Sequence, residues 1–190
     1  MAKIVQKGAK VLREKAKEIP LSKIKSPEIQ RILRDMKAAV EKEEDGVAIA
    51  APQIGKSFQI FVIAPRAFEI INEKNKKDSK KNQEEKLKEK GAKKTSKEHA
   101  VFINPMILKA SREKTSMEEG CLSVRWLYGK VERSKKIKIR AYDEKGERFE
   151  VGVSGLMAQF YQHEIDHLHG ILFIDKANTI EDLPPTLKTA

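Results

Sequence analysis

The polar and apolar positions of residues 26–46 repeat with the period of an amphipathic helix. Ser26 is a suitable N-cap, and Pro27 suits the first turn, where its missing N–H costs no hydrogen bond. Gly46 can end the helix in a left-handed conformation. The apolar residues recur at spacings of three and four, which places them on one face: Ile29, Ile32, Leu33, Met36, Ala39 and Val40. We therefore predict an N-terminal helix.

Shorter apolar runs follow this segment. Residues 59–64 (QIFVIA) and 101–108 (VFINPMIL) are rich in β-branched and aromatic residues, which indicates two buried strands. Apolar and polar residues then alternate on both sides of a polar turn at 143–146. This period of two predicts a β-hairpin with the following inward positions: Ile137, Ile139, Ala141, Phe149, Val151 and Val153.

The period changes again at Gly155. Leu156, Phe160, His163 and His167 fall on one stripe at helical spacing, so we predict a second helix there. The order of helix, strands, hairpin and helix favours an α+β fold over alternating βαβ units. At 190 residues the chain has the length of one domain, so we predict a single domain over residues 1–190.

Charge is concentrated in residues 73–98. The whole chain has a formal net charge of +11, and this segment holds eleven lysines against six acidic residues, with one leucine and no aromatic residue. Such a segment cannot bury enough apolar surface to offset the entropy lost on ordering. We predict a solvated basic insertion, disordered or at most a fraying helix. A net positive charge is also typical of proteins with acidic partners such as nucleic acid, so ribosome association through this insertion is a second hypothesis.

Cysteine content and hydropathy bear on the compartment. The chain has one cysteine, Cys121, which excludes an intrachain disulfide and favours a reducing compartment. The N-terminus lacks the apolar core of a signal peptide, and no run approaches the roughly 18 apolar residues of a membrane span. We predict an intracellular protein with no membrane segment.

The chemistry starts in the second helix, within QHEIDHLHG at residues 162–170. His163 and His167 lie one turn apart on the same helix face, so both imidazoles can bind one metal ion. Glu164 borders that ion without binding it, and can accept a proton from a bound water molecule. His169 points to the other side and is not expected to be a ligand.

A catalytic site needs a third protein ligand, and the sequence offers several candidates. The long zinc-protease pattern would place a histidine where Phe173 stands, and phenylalanine cannot bind a metal. A glutamate ligand would have to be Glu181, in a short tail. Cys121, within EEGCLSV, is the better candidate, although an unpaired cysteine is also a common core residue. The small residues of GVAIAAPQIG, at 46–55, let the backbone approach a ligand and place Gln53 beside it, but this signal is weak on its own.

Together the stretches GVAIAAPQ, EGCLS and QHEIDH resemble the peptide deformylase family, and the likeness extends along nearly the whole chain except residues 73–98. The resemblance implies an α+β fold in which antiparallel sheets pack around a central C-terminal metal-binding helix. It implies removal of the N-formyl group from N-formylmethionine of newly synthesised polypeptides, with release of formate. The implied metal ligands are Cys121, His163 and His167. They would hold one divalent ion, with iron(II) expected and zinc, nickel or cobalt as alternatives.

The resemblance also implies roles for individual residues. Glu164 would carry the proton from water to the leaving amine, and the Gln53 amide and the backbone N–H of Leu122 would stabilise the oxyanion. Glu119 would pair with Arg133 in support of the site. The expected substrate-binding residues are Val47, Ala48, Gln53, Glu119 and Phe160.

Two departures from the family pattern affect the expected specificity. Ala48 stands where the family commonly has glycine, which adds a methyl group beside the substrate path. Arg125, followed by Trp126, stands where a proline often follows EGCLSV. The alternatives to an active deformylase are a metallopeptidase that cuts internal amide bonds and a basic ribosome- or RNA-associated relative with weak or no catalysis. We further expect a monomer in the bacterial cytoplasm, with an organelle as the other candidate compartment.

Overall fold

The computed structural model describes residues 2–79 and 98–184, with the side chains of these residues except 74–79. Within this part of the chain, helices and strands alternate irregularly. Their bounds are α1 Pro27–Lys42, β1 Ala48–Ala50, β2 Ile60–Ile63, α2 Pro65–Ser79, β3 Ala100–Ala110, β4 Lys114–Cys121, β5 Val124–Ser134, β6 Lys136–Tyr142, β7 Arg148–Ser154, α3 Gly155–Leu168 and β8 Thr179–Asp182. Helices α1 and α3, strands β2 and β3 and the β6–β7 hairpin confirm the sequence predictions.

The strands form two sheets. One sheet has five strands in the order β1-β2-β3-β6-β7, and the other has three in the order β4-β5-β8. Adjacent strands are antiparallel in both sheets. The predicted α+β class, with antiparallel sheets around a C-terminal helix and an N-terminal amphipathic helix, is confirmed.

The five-stranded sheet lies between two helices. Because successive strand residues point to opposite faces, Phe61 and Ile63 of β2 pack in a cluster with α3, whereas Ile60 and Val62 pack in a cluster with α1. The apolar stripe predicted for α1 is buried throughout. The three-stranded sheet covers a third, smaller cluster that includes Phe173. Helix α3 is therefore held on the sheet by its apolar side.

The start of α1 follows the prediction, but its end does not. The Ser26 Oγ accepts a hydrogen bond from the Ile29 N–H at 3.4 Å, and Pro27 occupies the first turn. The helix ends at Lys42, and Gly46 does not have a positive φ, so the predicted left-handed stop is wrong. Gly46 is required for a different reason: a Cβ atom there would lie 2.2 Å from the carbonyl oxygen of Val40.

We expect the Gly46→Ala variant to be destabilised by about 1–3 kcal/mol, because the added methyl group overlaps a backbone oxygen and forces the turn to move. Gly152→Ala is the matched control, since a Cβ at that position meets nothing within 4 Å. Urea denaturation of both variants measures the free energy of unfolding. Equal stabilities of the two variants would contradict the close approach at Gly46.

The basic segment begins inside α2. Ala67, Phe68 and Ile71 attach this helix to the core, and its last residues overlap the start of the predicted insertion at 73–98. Residues 80–97, which make up most of that insertion, lie outside the described residues. Of the helices in the described ranges, none is both long enough and apolar enough to cross a membrane.

Candidate metal centre

Three side chains of the types that bind metals lie close together at α3. Cys121 is the last residue of β4, and His163 and His167 lie one turn apart on α3. Their donor atoms all lie within 4.8 Å of one another, and the Cys121 Sγ is 3.2 Å from the His167 Nε2. His169 is outside this cluster, with its Nδ1 2.9 Å from the backbone oxygen of Ile165.

The donor set fits a transition metal. In a tetrahedral site with metal–sulfur and metal–nitrogen bonds of about 2.3 and 2.1 Å, the sulfur and nitrogen atoms lie about 3.6 Å apart, close to the 3.2 Å between the Cys121 Sγ and the His167 Nε2. Burial, together with the positive charge on His163, lowers the pKa of His167 well below its usual value. His167 is therefore a neutral imidazole, the form that binds metals. The Cys–His–His cluster could bind a metal ion.

A chain of buried ion pairs leads from the cluster towards the surface. His163 Nδ1 lies 2.9 Å from the Glu119 carboxylate, which accepts two hydrogen bonds from Arg133 at 2.7 and 2.8 Å. The predicted Glu119–Arg133 pair is confirmed. Arg133 also donates to Asp166 at 2.6 Å, and the Lys176 ammonium donates to the second Asp166 oxygen at 2.6 Å. Asp166 and Lys176 were not predicted, although Asp166 lies within QHEIDH.

Glu119 fixes the orientation of His163. Burial alone would raise the pKa of this carboxyl group, but the hydrogen bonds from Arg133 and His163 outweigh it and lower the pKa to about 2. Glu119 is therefore a carboxylate that holds the Nδ1 proton of His163. Burial alone would lower the pKa of His163, but its hydrogen bonds with Cys121 and Glu119 outweigh burial and raise the pKa well above the usual value. The Nε2 proton is therefore the one that a metal ion would replace, while the Nδ1 proton stays with Glu119.

Removing Arg133 should strongly destabilise the fold. In the Arg133→Met variant, Glu119 and Asp166 lose the guanidinium between them while staying largely buried, and breaking a buried ion pair in this way costs about 3–5 kcal/mol. Arg13→Met is the matched control, because its partner Asp175 is on the surface, where such pairs contribute about 0–1 kcal/mol. Thermal and urea unfolding measure both. A similar small loss in the two variants would contradict the structural role of Arg133.

Glu164 has no hydrogen-bond partner for one of its oxygens. Its side chain is buried beside the cluster, and its Oε2 is unpartnered among the described residues. Burial raises the pKa of Glu164 to about 7; the positive charge of His163 opposes this rise, and the Glu119 charge supports it. A carboxyl group with this pKa can both accept and release a proton near neutral pH.

Gln53 lies beside Cys121, with its side-chain amide near the sulfur. Its Oε1 accepts a hydrogen bond from the backbone N–H of Ala50 at 2.8 Å, which turns its amide nitrogen towards the Cys121 Sγ at 3.5 Å. The backbone N–H of Ser123 donates to the same sulfur at 3.4 Å. Gln53 is thus fixed by its own backbone and directed at the metal cluster.

A pocket of about 310 Å³ opens beside these residues. All of the site residues predicted from the sequence line it except the buried His167: Val47, Ala48, Gln53, Glu119, Cys121, Leu122, Phe160, His163 and Glu164. Gln159, which was not predicted, also lines it and donates a hydrogen bond to the backbone oxygen of Glu118 at 2.7 Å. Its sequence position, one turn before His163 on the predicted helix, was the signal available.

A family model described as polypeptide deformylase matches residues 1–182. The chain belongs to the peptide deformylase family. Members of this family are metal-dependent hydrolases that remove the N-formyl group from newly synthesised polypeptides. The predicted family, reaction and enzyme class are therefore confirmed, and the non-catalytic alternative is not favoured.

Individual relatives agree with this assignment. The peptide deformylase of Desulforudis audaxviator is 36% identical over 177 residues, which cover 93% of this chain and 94% of the relative. Peptide deformylase 1A, chloroplastic/mitochondrial, of Arabidopsis thaliana is 35% identical over the whole chain, which spans 64% of that protein. The crystal structure of the Thermotoga maritima peptide deformylase superposes with a TM-score of 0.73. The two sequences are 30% identical, and the match covers 94% of this chain and 99% of the Thermotoga maritima chain.

Proposed function

We propose that this chain deformylates N-formylmethionyl peptides with Cys121, His163 and His167 as the three ligands of one divalent metal ion. The proposal is carried by one observation: Cys121, His163 and Glu164 line one pocket, and His167 is buried directly behind them. Within the described ranges, the Glu164 Oε2 has no hydrogen-bond partner. We propose iron(II) as the ion on the basis of the family resemblance. Mixed sulfur and nitrogen donors also suit zinc, nickel and cobalt.

The three ligands set the charge of the centre. A thiolate and two neutral imidazoles leave a divalent ion with a net charge of +1, and the metal, when bound, acidifies water and polarises the formyl carbonyl group. Glu119 keeps His163 in the tautomer that presents Nε2. Arg133 in turn holds Glu119, so that the imidazole is already oriented before substrate arrives.

Glu164 moves the proton in the proposed reaction. It takes a proton from the attacking water molecule, whose oxygen forms a bond to the formyl carbon. As the carbon–nitrogen bond breaks, Glu164 returns the proton to the leaving amine, which gives formate and a peptide with a free amino group. Burial raises the pKa of Glu164, and a raised pKa helps this carboxyl group to hold the proton between the two steps.

Gln53 and Leu122 stabilise the negative charge that develops on the formyl oxygen. The Gln53 amide nitrogen is fixed towards Cys121 by the hydrogen bond that Ala50 donates to the other end of the amide. The backbone N–H of Leu122 follows Cys121 directly in the chain. Two donors placed in advance cost no reorganisation during the reaction, which is why such donors lower the barrier.

The substrate peptide binds along β1 in the proposed complex. This strand is at the edge of the five-stranded sheet, and its first residue, Ala48, lines the pocket together with the preceding Val47. An extended peptide can add to such an edge through backbone hydrogen bonds. Phe160 and Glu119, which line the same pocket, would contact the methionine.

A set of three peptides tests the proposed function. We expect the metal-loaded protein to release formate from formyl-Met-Ala-Ser and to leave acetyl-Met-Ala-Ser intact. A longer peptide that is blocked at its ends and lacks a formyl group should remain uncut at its internal bonds. The acyl group is the only difference between the first two peptides, so mass spectrometry of the products separates deformylation from general amide hydrolysis. Cleavage of the blocked peptide at an internal bond would favour the metallopeptidase alternative instead.

We propose a monomer in the bacterial cytoplasm that meets its substrates as nascent chains, and ribosome association through the basic insertion at 73–98. Deleting residues 80–97 and measuring cosedimentation with ribosomes tests the latter. Undiminished cosedimentation of the deletion variant would contradict a role for this segment, and formate release serves as the control for folding.

A further inference from the structure

Two loops meet at the rim of the pocket and are tied together by Arg125. Its guanidinium donates to Asp45 at 2.7 Å and to Glu43 at 2.5 Å, both in the loop between α1 and β1. Arg125 itself lies at the start of β5, just after Cys121 and Leu122. The ion pairs therefore join the segment that carries the metal ligand to the segment that leads into the edge strand β1.

Trp126 stands beside this junction in an unusual backbone conformation. It has a φ of +68°, a value that large side chains rarely adopt, and its side chain is 41% exposed at the pocket rim. The positive φ falls where the pairing of β4 with β5 is irregular, between Cys121↔Val124 and Gly120↔Tyr128, and this bulge directs the exposed ring to the rim instead of into the core. Unfavourable backbone conformations of this kind are concentrated at binding sites.

The ring and its backbone are both held in place. The Arg125 guanidinium carbon lies 5.7 Å from the centre of the Trp126 ring, within cation–π range. The backbone oxygen of Trp126 accepts a hydrogen bond from the N–H of Leu183 at 2.8 Å, next to the pairing of β5 with β8. The indole is thus a fixed apolar surface on the rim of the pocket.

We propose that Trp126, oriented by Arg125, forms a specificity subsite for an apolar or aromatic side chain of the substrate downstream of the formylmethionine. The inference rests on the proposed function. The formyl carbon must lie beside Cys121 and Glu164, which places the methionine inside the pocket. Residues further along the peptide then reach the outer rim, where Trp126 and Asp45 are exposed.

Charge at the rim supports an apolar occupant. Arg125 is neutralised by its two carboxylate partners, and Glu118 adds a further exposed carboxylate to the lining. Among the described residues, the rim therefore offers no free cation to an acidic side chain, and its carboxylates repel one. A flat indole gains most from an aromatic ring, through stacking or edge-to-face contact. We expect phenylalanine to be preferred over serine, and serine over aspartate.

The test uses two peptide series, formyl-Met-X-Ser and formyl-Met-Ala-X, with X as phenylalanine, serine or aspartate. In at least one series we expect kcat/KM for phenylalanine to exceed that for serine by about 3- to 10-fold, mainly through KM. Trp126→Gly should bring this ratio close to one, and Trp126→Phe should restore most of it. Glycine suits the positive φ, and Trp126→Asn is a second ring-free variant that tolerates the same conformation.

Met106→Ala is the control, because Met106 is an exposed apolar residue of β3 outside the pocket and its removal should leave the ratio unchanged. A wild-type ratio near one in both series, or a ratio that survives in Trp126→Gly and Trp126→Asn, would overturn the subsite while leaving the deformylase function intact. Wild-type protein that releases no formate from any of the peptides would instead overturn the proposed function.

Discussion

Replacing Glu164 by glutamine is expected to lower kcat for formate release by about 10²- to 10⁴-fold, the usual contribution of a general acid–base group. Glutamine keeps the size of the side chain but cannot take a proton from water or return it to the amine. Glu119, the other buried carboxylate of the pocket, is held by Arg133 with its pKa lowered to about 2, so it is a poor substitute as a proton acceptor. Metal content should stay at one ion per chain, since Glu164 is not one of the three proposed ligands.

Glu132→Gln provides the comparison, because Glu132 is an exposed glutamate of β5 and lies outside the pocket. Steady-state kinetics and elemental analysis of both variants separate proton transfer from metal binding. If Glu164→Gln retained wild-type kcat, the proposed role of Glu164 would be wrong. If it lost the metal, Glu164 would have to be reassigned to the metal site itself.

Cys121→Ser should lose the metal and, with it, formate release. The thiolate supplies the only formal negative charge among the three proposed ligands, and a serine hydroxyl is a much weaker donor at neutral pH. We expect metal affinity to fall by more than about 100-fold, beyond the effect of changing a supporting residue around a metal site. Competition with a chromophoric chelator measures that affinity.

Ser123→Ala is the matched control for Cys121→Ser. The buried Ser123 Oγ has no hydrogen-bond partner in the described part of the chain, and the backbone N–H that contacts the Cys121 sulfur is kept in the variant. Its metal content and formate release should match those of the wild type. Full metal content in Cys121→Ser would show that the third ligand lies elsewhere.

The sequence predicted the elements that have a clear hydropathy period or a continuous apolar run. It did not predict the others. Strand β4, Lys114–Cys121, is almost entirely polar, and β8, Thr179–Asp182, is fully exposed, so neither has an apolar run. They are strands because they pair with β5. The prediction that Gly46 ends α1 in a left-handed conformation was wrong for a related reason. Glycine is required there because the Val40 carbonyl oxygen leaves no room for a Cβ atom, and the local sequence does not reveal this contact.

The site residues that are close in the sequence could likewise be predicted, whereas contacts between distant segments could not. Helical spacing alone placed His163, Glu164 and His167 on one side of α3, because those residues are close in the sequence. Cys121 was the better of several candidates for the third ligand, because Phe173 cannot bind a metal, and only the family resemblance singled it out, since no sequence period links it to α3. Contacts between distant segments were missed, such as Arg133 with Asp166, 33 positions apart, and Arg125 with Glu43, 82 positions apart.

The most direct test of the account is a metal titration that is followed by formate release. Metal-free protein, prepared without oxygen to protect the Cys121 thiol, is loaded with increasing iron(II) and assayed with formyl-Met-Ala-Ser. We predict no formate without metal, a rise in rate in proportion to bound iron, and saturation at one ion per chain. Protein that carries one iron per chain and leaves the peptide formylated, or metal-free protein that is fully active, would contradict the account.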